Sequence, residues 1–448
     1  MNVHLGDHIT FRRILKFTIF PIIMMVFTSL YSIVDGIFIS NFSNPSSFAA
    51  VNLVMPFIMI VGSVGFMMGA GGSALVSKYL GQREEEKANN TFSLIIYATV
   101  IMGLVISVAG FFLMKPIVEA LASLSSDTSE EMVSEAILYG RILILAQVFF
   151  MLQNVFQSFF LVAERSKIGF IVIICSGVTN IILDALFVGI LRLGVVGAAM
   201  ATICGYLIAS ISSIVFFRFN KKIHIRLGKA KFDFRAITKS VYNGVSEFVT
   251  NMSMSIVSII YNIQLLRLYG ENGVAAYGII MYVSFVFVAI FIGYSMGVAP
   301  VIGYNFGAEN HDELKNILRK SLLIIFITGL LMALFGLLTA NPFSRIFANN
   351  NAELLELSSK AMKIYSIHFF LCGFSIFLSA FFTALSNGTM SALISLLRTL
   401  VFQISFVLLF PAIFGSIGIW WAAVGSDALA TIVSFTCLIV NNKKYKYL

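Results

Sequence analysis

The chain repeats its own pattern of small and polar residues about half its length later. The matched residues at a shift of 226 positions are Ala50 and Ala276, Gly71 and Gly297, Gly81 and Gly307, and Asn90 and Asn316. A shift of 221 positions extends the repeat to Gly194 and Gly415. Duplicated membrane spans are how many secondary transporters form a substrate site between two halves that move against each other. The duplication therefore favours a transporter.

Composition places the chain in a lipid bilayer. Hydrophobic residues make up 59% of its 448 residues, charged residues only 11%, and the mean hydropathy is +0.94. A helix needs about 20 apolar residues to cross a bilayer. Such runs lie at 14–40, 50–78, 91–112, 133–162, 168–190, 195–219, 240–268, 276–304, 318–340, 356–386, 389–412 and 417–440.

These runs predict an all-α polytopic membrane protein with twelve transmembrane helices in two six-helix bundles. Because each half has an even number of spans, the two bundles should be related by a pseudo-two-fold axis along the membrane normal. The predicted organisation is an N-terminal bundle at 1–219, a basic linker at 220–239 and a C-terminal bundle at 240–448.

The net charge of +9 indicates topology rather than nucleic-acid binding. With both termini in the cytoplasm, most of the 30 lysines and arginines fall in predicted cytoplasmic segments, as the positive-inside rule requires. We therefore expect a multi-pass protein with cytoplasmic termini, in contact with the lipid bilayer and not with nucleic acid.

Few ionisable residues lie inside the predicted spans, where they are costly and usually functional. They are Asp35 in span 1, Asp184 in span 5, Glu247 in span 7, His368 in span 10, Arg398 in span 11 and Asp427 in span 12. Asn180 precedes Asp184 by one helical turn, so the two share a face. A carboxylate and an amide on one face of a helix can bind a proton or an oxygen-liganded Na⁺.

Structural roles are open for the same residues. Asp184 could merely cap a kink or pair with Arg398, and Asp35, Asp427 and Glu247 have structural alternatives of the same kind. Glu247 could also occupy a polar interface near the cytoplasmic end of its span. The repeat places Tyr261 opposite Asp35 and Ser405 opposite Asp184, so the ion chemistry is expected in the N-terminal bundle.

Three strings carry a family resemblance: Leu30-Tyr31-Ser32-Ile33-Val34-Asp35, Thr179-Asn180-Ile181-Ile182-Leu183-Asp184, and Gly194-Val195-Val196-Gly197-Ala198-Ala199 followed by Thr202. With its twelve spans and its duplication, the chain resembles multidrug and toxic compound extrusion (MATE) transporters, particularly the DinF-like and MepA-like bacterial branch. The resemblance covers essentially the whole length.

The resemblance implies export of lipophilic or cationic compounds by antiport with H⁺ or Na⁺ through alternating access, in a bacterial inner (cell) membrane. The family's cation-coupling site falls on Asp35, Asn180, Asp184 and Thr202, and its conformational switch on Pro21. Some relatives bind Na⁺ through a Glu of span 7 and an Asp of span 10. Glu247 is present here, but the run at 356–386 contains no carboxylate beyond Glu356, so such a site is not expected.

Flexible and aromatic side chains suit a promiscuous pocket for organic cations. The substrate-binding candidates are Tyr31, Gln153, Asn154, Phe156 and Gln157, although any of the aromatic ones could simply pack in the core. Secondary candidates are Glu247, Arg398 and Asp427.

Other classes of protein fit less well. A lipid or oligosaccharide flippase of the same superfamily remains the alternative, but it should carry several basic residues in its cavity, and only Arg398 lies in a predicted span. The chain contains no HExxH, GxSxG or CxxC string and no separate ligand domain, so neither an enzyme nor a channel is expected. We expect no cofactor beyond the coupling ion, and a monomer.

Overall fold

Helices form most of the described fold. The computed structural model describes residues 4–42, 45–123, 129–348 and 351–447, apart from the side chains at 32, 33, 35–37, 39–41, 45, 347 and 348. The α-helices are α1 (Phe11–Phe42), α2 (Pro45–Gly81), α3 (Glu85–Ala122), α4 (Glu130–Leu145), α5 (Gln147–Val162), α6 (Ser166–Asp184), α7 (Gly194–Phe219), α8 (Phe234–Gly307), α9 (His311–Ala348), α10 (Ala352–Ala384), α11 (Gly388–Leu396), α12 (Gln403–Phe414) and α13 (Gly418–Tyr445).

The described helices supply the twelve spans predicted from hydropathy. Ten helices are long and apolar enough to cross a membrane, and the pair α4 and α5, bent by 50°, forms an eleventh span. The 74-residue α8 is counted once among the ten but breaks at Gly270, where φ is 62°, so it contributes two spans. A positive φ costs glycine little, which explains the residue at this turn.

The chain folds into two compact units, and the residue bounds of these units differ from those of the two predicted bundles. The first unit contains Phe27–Gly244, and the second unit contains the described residues up to Val26 together with those from Val245 onward. The first part of α1 therefore packs with the second half of the sequence, and the first part of α8, with the predicted linker, packs with the first half. The predicted bounds 1–219 and 240–448 follow the duplication, which does not reveal this exchange.

Glycines at matching positions of the repeat explain the exchange. In the first unit a Cβ on Gly71 would lie 1.9 Å from the Ser240 carbonyl oxygen, so α2 and the start of α8 touch backbone to backbone. In the second unit a Cβ on Gly297, the repeat partner of Gly71, would lie 2.9 Å from Thr18 Cα. Small residues permit such close helix crossings in membranes.

A short segment before α1 is fastened to the start of α9. We call residues 4–10 the N-terminal strap. Glu313 Oε1 accepts a hydrogen bond from the Ile9 amide at 2.8 Å, and its Oε2 lies 2.9 Å from His8 Nδ1. Asn316 Nδ2 donates to the Ile9 carbonyl at 2.9 Å. Leu5 and Ile9 are buried in the core of the same unit, so polar and apolar contacts hold the strap together.

Replacing Glu313 by alanine should release the strap. The substitution removes the charged acceptor of the Ile9 amide, and such hydrogen bonds contribute about 1.5–3 kcal/mol, or about 10- to 100-fold in local opening. Hydrogen exchange at residues 4–10 should accelerate accordingly. Asp312→Ala, at the exposed neighbouring position, is the matched control and should leave exchange unchanged. Equal exchange in both variants would show that Glu313 does not hold the strap.

Candidate functional site

The central feature of the candidate site is the point where α6 changes its winding. The α-helix ends at Asp184 and continues as a π-helical turn, Ala185–Ile190. Short π-helical insertions are uncommon and frequently occur at functional sites. The second half has a π-helical turn in the corresponding span, at Leu397–Phe402. Both halves therefore interrupt the same span of the repeat.

Asn180 and Asp184 are buried at this junction. Asn180 is 3% exposed and Asp184 is fully buried. Neither the Oδ1 nor the Nδ2 atom of Asn180 has a hydrogen-bond partner among the residues that the structure describes. A buried amide without a partner is costly, and its usual explanation is an unseen water or ion. The amide therefore offers both an oxygen and a donor to a bound species.

Helix α7, which carries Thr202, packs against α6 near Asn180. Ser176 Oγ donates to the Gly205 carbonyl at 2.8 Å, and Gly205 also approaches Asn180 Cβ. Only three residues separate the π-helical turn from α7, so the two helices run antiparallel, and Thr202 lies about one turn from Gly205 in the direction of the π-helical turn. The half-buried Thr202 donates to the Ala198 carbonyl at 3.0 Å, and its oxygen lone pairs can still accept.

Helix α1 closes over α6 one turn below Asn180. A Cβ at Gly177 would lie 2.6 Å from the Phe27 ring and 3.2 Å from the Tyr31 ring, so only glycine allows this approach. Asp35 follows Tyr31 by one turn of the same helix. The backbone of Asp35 is helical, whereas its side chain lies outside the described residues.

The substrate-binding candidates of α5 occupy two different environments. Gln153 and Gln157 are 5% exposed and line a narrow crevice with Ile173 of α6 and Ser213 of α7. Asn154 Nδ2 donates to the carbonyl of residue 150 in its own helix at 2.9 Å. The crevice has no room for a water molecule, so the two glutamines are packed between the three helices.

Phe156 lies in the aromatic core of the first unit. It is fully buried, and its ring stacks on Phe217 at 5.5 Å and meets Phe92 edge-on at 6.5 Å. This packing is that of a core residue, which was the alternative role considered for the aromatic candidates. The sequence could not separate the two roles, because phenylalanine serves both.

Pro21 lies in the part of α1 that packs with the second half of the chain. The helix continues through it. A Cβ on Gly293 of α8 would lie 2.7 Å from the Pro21 carbonyl oxygen and 2.6 Å from Ile22 Cα. A proline frees the carbonyl one turn earlier and permits a bend. The proline therefore lies directly against a glycine of α8.

The remaining charged candidates lie in the second unit, each near a group of opposite charge. Glu247 of α8 interacts electrostatically with Arg398 of the second π-helical turn. Asp427 of α13 contacts His368 of α10 through Oδ2 and Nδ1. Arg398 thus has an acidic neighbour, Glu247, in its own unit. Both members of the second pair were visible as ionisable residues within spans, but no spacing rule connects positions on two separate helices.

Among the described residues, no group of three or more His, Cys, Asp or Glu side chains could hold a metal ion. The free cysteines Cys175, Cys204, Cys372 and Cys437 are spread over four helices.

Comparison with known proteins assigns the chain to a family. The MatE family model matches residues 21–186 and 248–409, once in each half and over more than half of the chain. Multidrug export protein MepA of Staphylococcus haemolyticus (strain JCSC1435) is 24% identical over 433 residues, which cover 96% of this chain and 93% of that protein.

Solved structures show the same fold. A MATE in complex with MaL6 superimposes with a TM-score of 0.91 and 24% identity, over 98% of both chains. An outward-facing multidrug resistance MATE family transporter of the MOP superfamily gives a TM-score of 0.88 and 25% identity, over 97% of this chain and 96% of that one. The chain therefore belongs to the MatE family and is a MepA-like membrane transporter, not an enzyme.

Proposed function

We propose that this transporter exports lipophilic and cationic small molecules by antiport with H⁺ or Na⁺. Asp35, Asn180, Asp184 and Thr202 form its cation-coupling site. The observation that carries the proposal is the burial of Asn180 and Asp184 on one face of α6, beside the π-helical turn. Burying a carboxylate in its charged form is costly, so a bound proton or cation is favoured at this position.

The proposed cycle rests on differential binding. A ligand shifts a conformational equilibrium only by as much as its affinity differs between the two states. In the proposal, H⁺ or Na⁺ binds the carboxylates in the state open to the outside, which removes the negative charge that attracts a cationic substrate. The substrate then leaves, and the return of the cation to the cytoplasm restores the charge.

Pro21 is the proposed conformational switch. The part of α1 that contains Pro21 packs against α8, while the part that contains Tyr31 packs against α6. A change in the bend of α1 would therefore alter the position of the helix that carries Asp35. The tight contact with Gly293 means that such a bend requires α8 to move as well.

The substrate contacts are proposed at Tyr31, Gln153, Asn154 and Gln157. Tyr31 supplies an aromatic face for an organic cation, and the glutamines line the crevice between α5, α6 and α7. Phe156 is left out because its ring is enclosed in the aromatic core. The protein acts as a monomer in a bacterial cell membrane, with both termini in the cytoplasm, and needs no cofactor.

Ethidium binding to the purified protein tests the proposed competition. If the cation and the substrate bind in exchange, lowering the pH or adding Na⁺ should weaken ethidium binding, because coupling between sites is reciprocal. Fluorescence titrations over a pH series, each with Na⁺ or with choline, would measure this. An ethidium affinity that responds to neither cation would contradict the proposal.

A further inference from the structure

The second unit contains an enclosed histidine and carboxylate that the coupling site does not use. His368 of α10 is 6% exposed and Asp427 of α13 is fully buried, and Nδ1 of the histidine contacts Oδ2 of the aspartate. Neither carboxylate oxygen has a hydrogen-bond partner of ordinary geometry among the described residues. The pair is therefore the most deeply buried charge-bearing contact in the described part of the chain.

Titratable side chains from two helices face this pair. On α10, the Tyr365 ring lies 4.8 Å from the imidazole, and Cys372 follows one turn later and interacts with it electrostatically. On α8, Tyr261 and Tyr277 stack at 5.0 Å, and Tyr261 interacts electrostatically with Asp427. All of these groups are neutral in their ordinary protonation states near pH 7.

The other neighbouring helices add polar but uncharged contacts. Tyr261 donates to Gln403 Oε1 of α12 at 3.4 Å. From the second π-helical turn, the Arg398 carbonyl accepts from Ser426 Oγ, next to Asp427, while the Arg398 side chain interacts with Glu247. Helix α9 meets α10 at Ser366, and α11 meets it through the hydroxyls of Ser379 and Ser391.

Proton binding is the chemistry that this arrangement supports. With a neutral imidazole and an ionised carboxylate the pair carries one buried negative charge, which is costly without a partner. One added proton gives either an ion pair or a neutral pair, and in both the net charge is zero. Histidine is the side chain whose unperturbed pKa lets it exchange that proton near neutral pH.

The duplication shows that the pair is special to the second unit. A shift of 221 places His368 on Gln147 and Asp427 on Tyr206. In the first unit Gln147 donates to the Ile58 carbonyl at 3.0 Å, so a neutral amide serves the fold at that position. A structural role at this point of the repeat therefore does not require an ionisable side chain.

We propose that His368 and Asp427 form a second proton-binding site, which gains and loses a proton during transport. Each unit then carries one titratable site, built at different positions of the repeat and on different helices. The link to transport rests on the antiport proposed above, whereas the binding of the proton does not.

Proton binding can be measured on the resting protein. The chain has five histidines, and ¹³C labels at Cε1 report the protonation of each by NMR. The resonance absent from His368→Gln identifies His368. It should titrate between about pH 5 and pH 10 in the full-length protein in detergent micelles, and Asp427→Asn should shift that titration. A His368 resonance that does not change over this range would overturn the proposal.

A transport measurement separates proton exchange from a purely structural role. The double variant His368→Gln and Asp427→Asn keeps an uncharged, hydrogen-bonding pair, like the amide found at Gln147. Purified in folded form, it should bind about one proton fewer per molecule than the wild type over the same pH range, and its ethidium efflux should depend less steeply on pH. An unchanged proton count would refute the second site, whatever the result for the antiport; an unchanged pH profile with the lower count would refute its part in transport.

Discussion

Replacing Asp184 by asparagine is expected to uncouple ethidium efflux from the cation gradient. The variant keeps the size and polarity of the side chain but cannot carry the negative charge that binds H⁺ or Na⁺. Coupling between sites typically contributes about 1–3 kcal/mol, so gradient-driven efflux should fall by up to about 100-fold. The measurement is efflux from proteoliposomes at matched protein content, compared with the wild type.

The matched control is Asp312→Asn, which makes the same chemical change at an exposed position near the start of α9. It should transport like the wild type. Coupled efflux that is equal in Asp184→Asn and in the control would remove Asp184 from the ion path and leave it with a structural role at the end of α6.

Alanine at Gly71 or Gly244 is expected to prevent correct assembly of the first unit. A Cβ on Gly244 would lie 1.9 Å from the Met67 carbonyl oxygen, and one on Gly71 would lie 1.9 Å from the Ser240 carbonyl oxygen. Backbone cannot rotate away as a side chain can, so the cost should reach or exceed the about 1–3 kcal/mol typical of overpacking. Folded yield by size-exclusion chromatography and the midpoint of thermal unfolding measure it.

Gly278 provides the control for this prediction. It lies in the same long helix α8, and a Cβ there would meet nothing within 4 Å. Gly278→Ala should therefore be neutral or slightly stabilising, because alanine favours a helix by up to about 1 kcal/mol over glycine. If Gly71→Ala and Gly278→Ala unfold at the same temperature, the two backbones are not in contact at Gly71.

Much of the fold could be predicted from the sequence, because membrane helices are long and the bilayer sets their length. The twelve spans are confirmed, including the two that join in α8 at Gly270. The duplication also indicated which glycines matter, since Gly71 and Gly297 make equivalent close crossings. Hydropathy alone did not reveal the 50° bend between α4 and α5 or the π-helical turns, because neither changes the apolar composition of a span.

The site was only partly visible in the sequence. One helical turn connects Asn180 with Asp184, and both are buried as a shared face predicts. No comparable rule connects His368 with Asp427, because their contact depends on how α10 and α13 are rotated and packed. We expected ion chemistry only in the N-terminal bundle because the repeat places no carboxylate opposite Asp35 or Asp184. Matching positions in this way cannot reveal a contact between side chains of two different helices.

The packing of the first parts of α1 and α8 with the opposite halves of the chain could not be predicted for the same reason. The repeat identifies which residues of the two halves correspond, but it does not indicate the unit against which each of these helix segments packs. That information lies in pairs such as Gly293 with Pro21, where a missing side chain admits a neighbouring backbone. Only the assembled helices show these pairs.

Ethidium efflux from proteoliposomes under an imposed pH gradient, and then under an imposed Na⁺ gradient, tests the antiport most directly. At least one of the two gradients should drive efflux, and dissipating that gradient with an ionophore should stop the efflux. If folded protein moves ethidium equally well with and without either gradient, or moves none under both, the proposed exchange of substrate for a cation is contradicted.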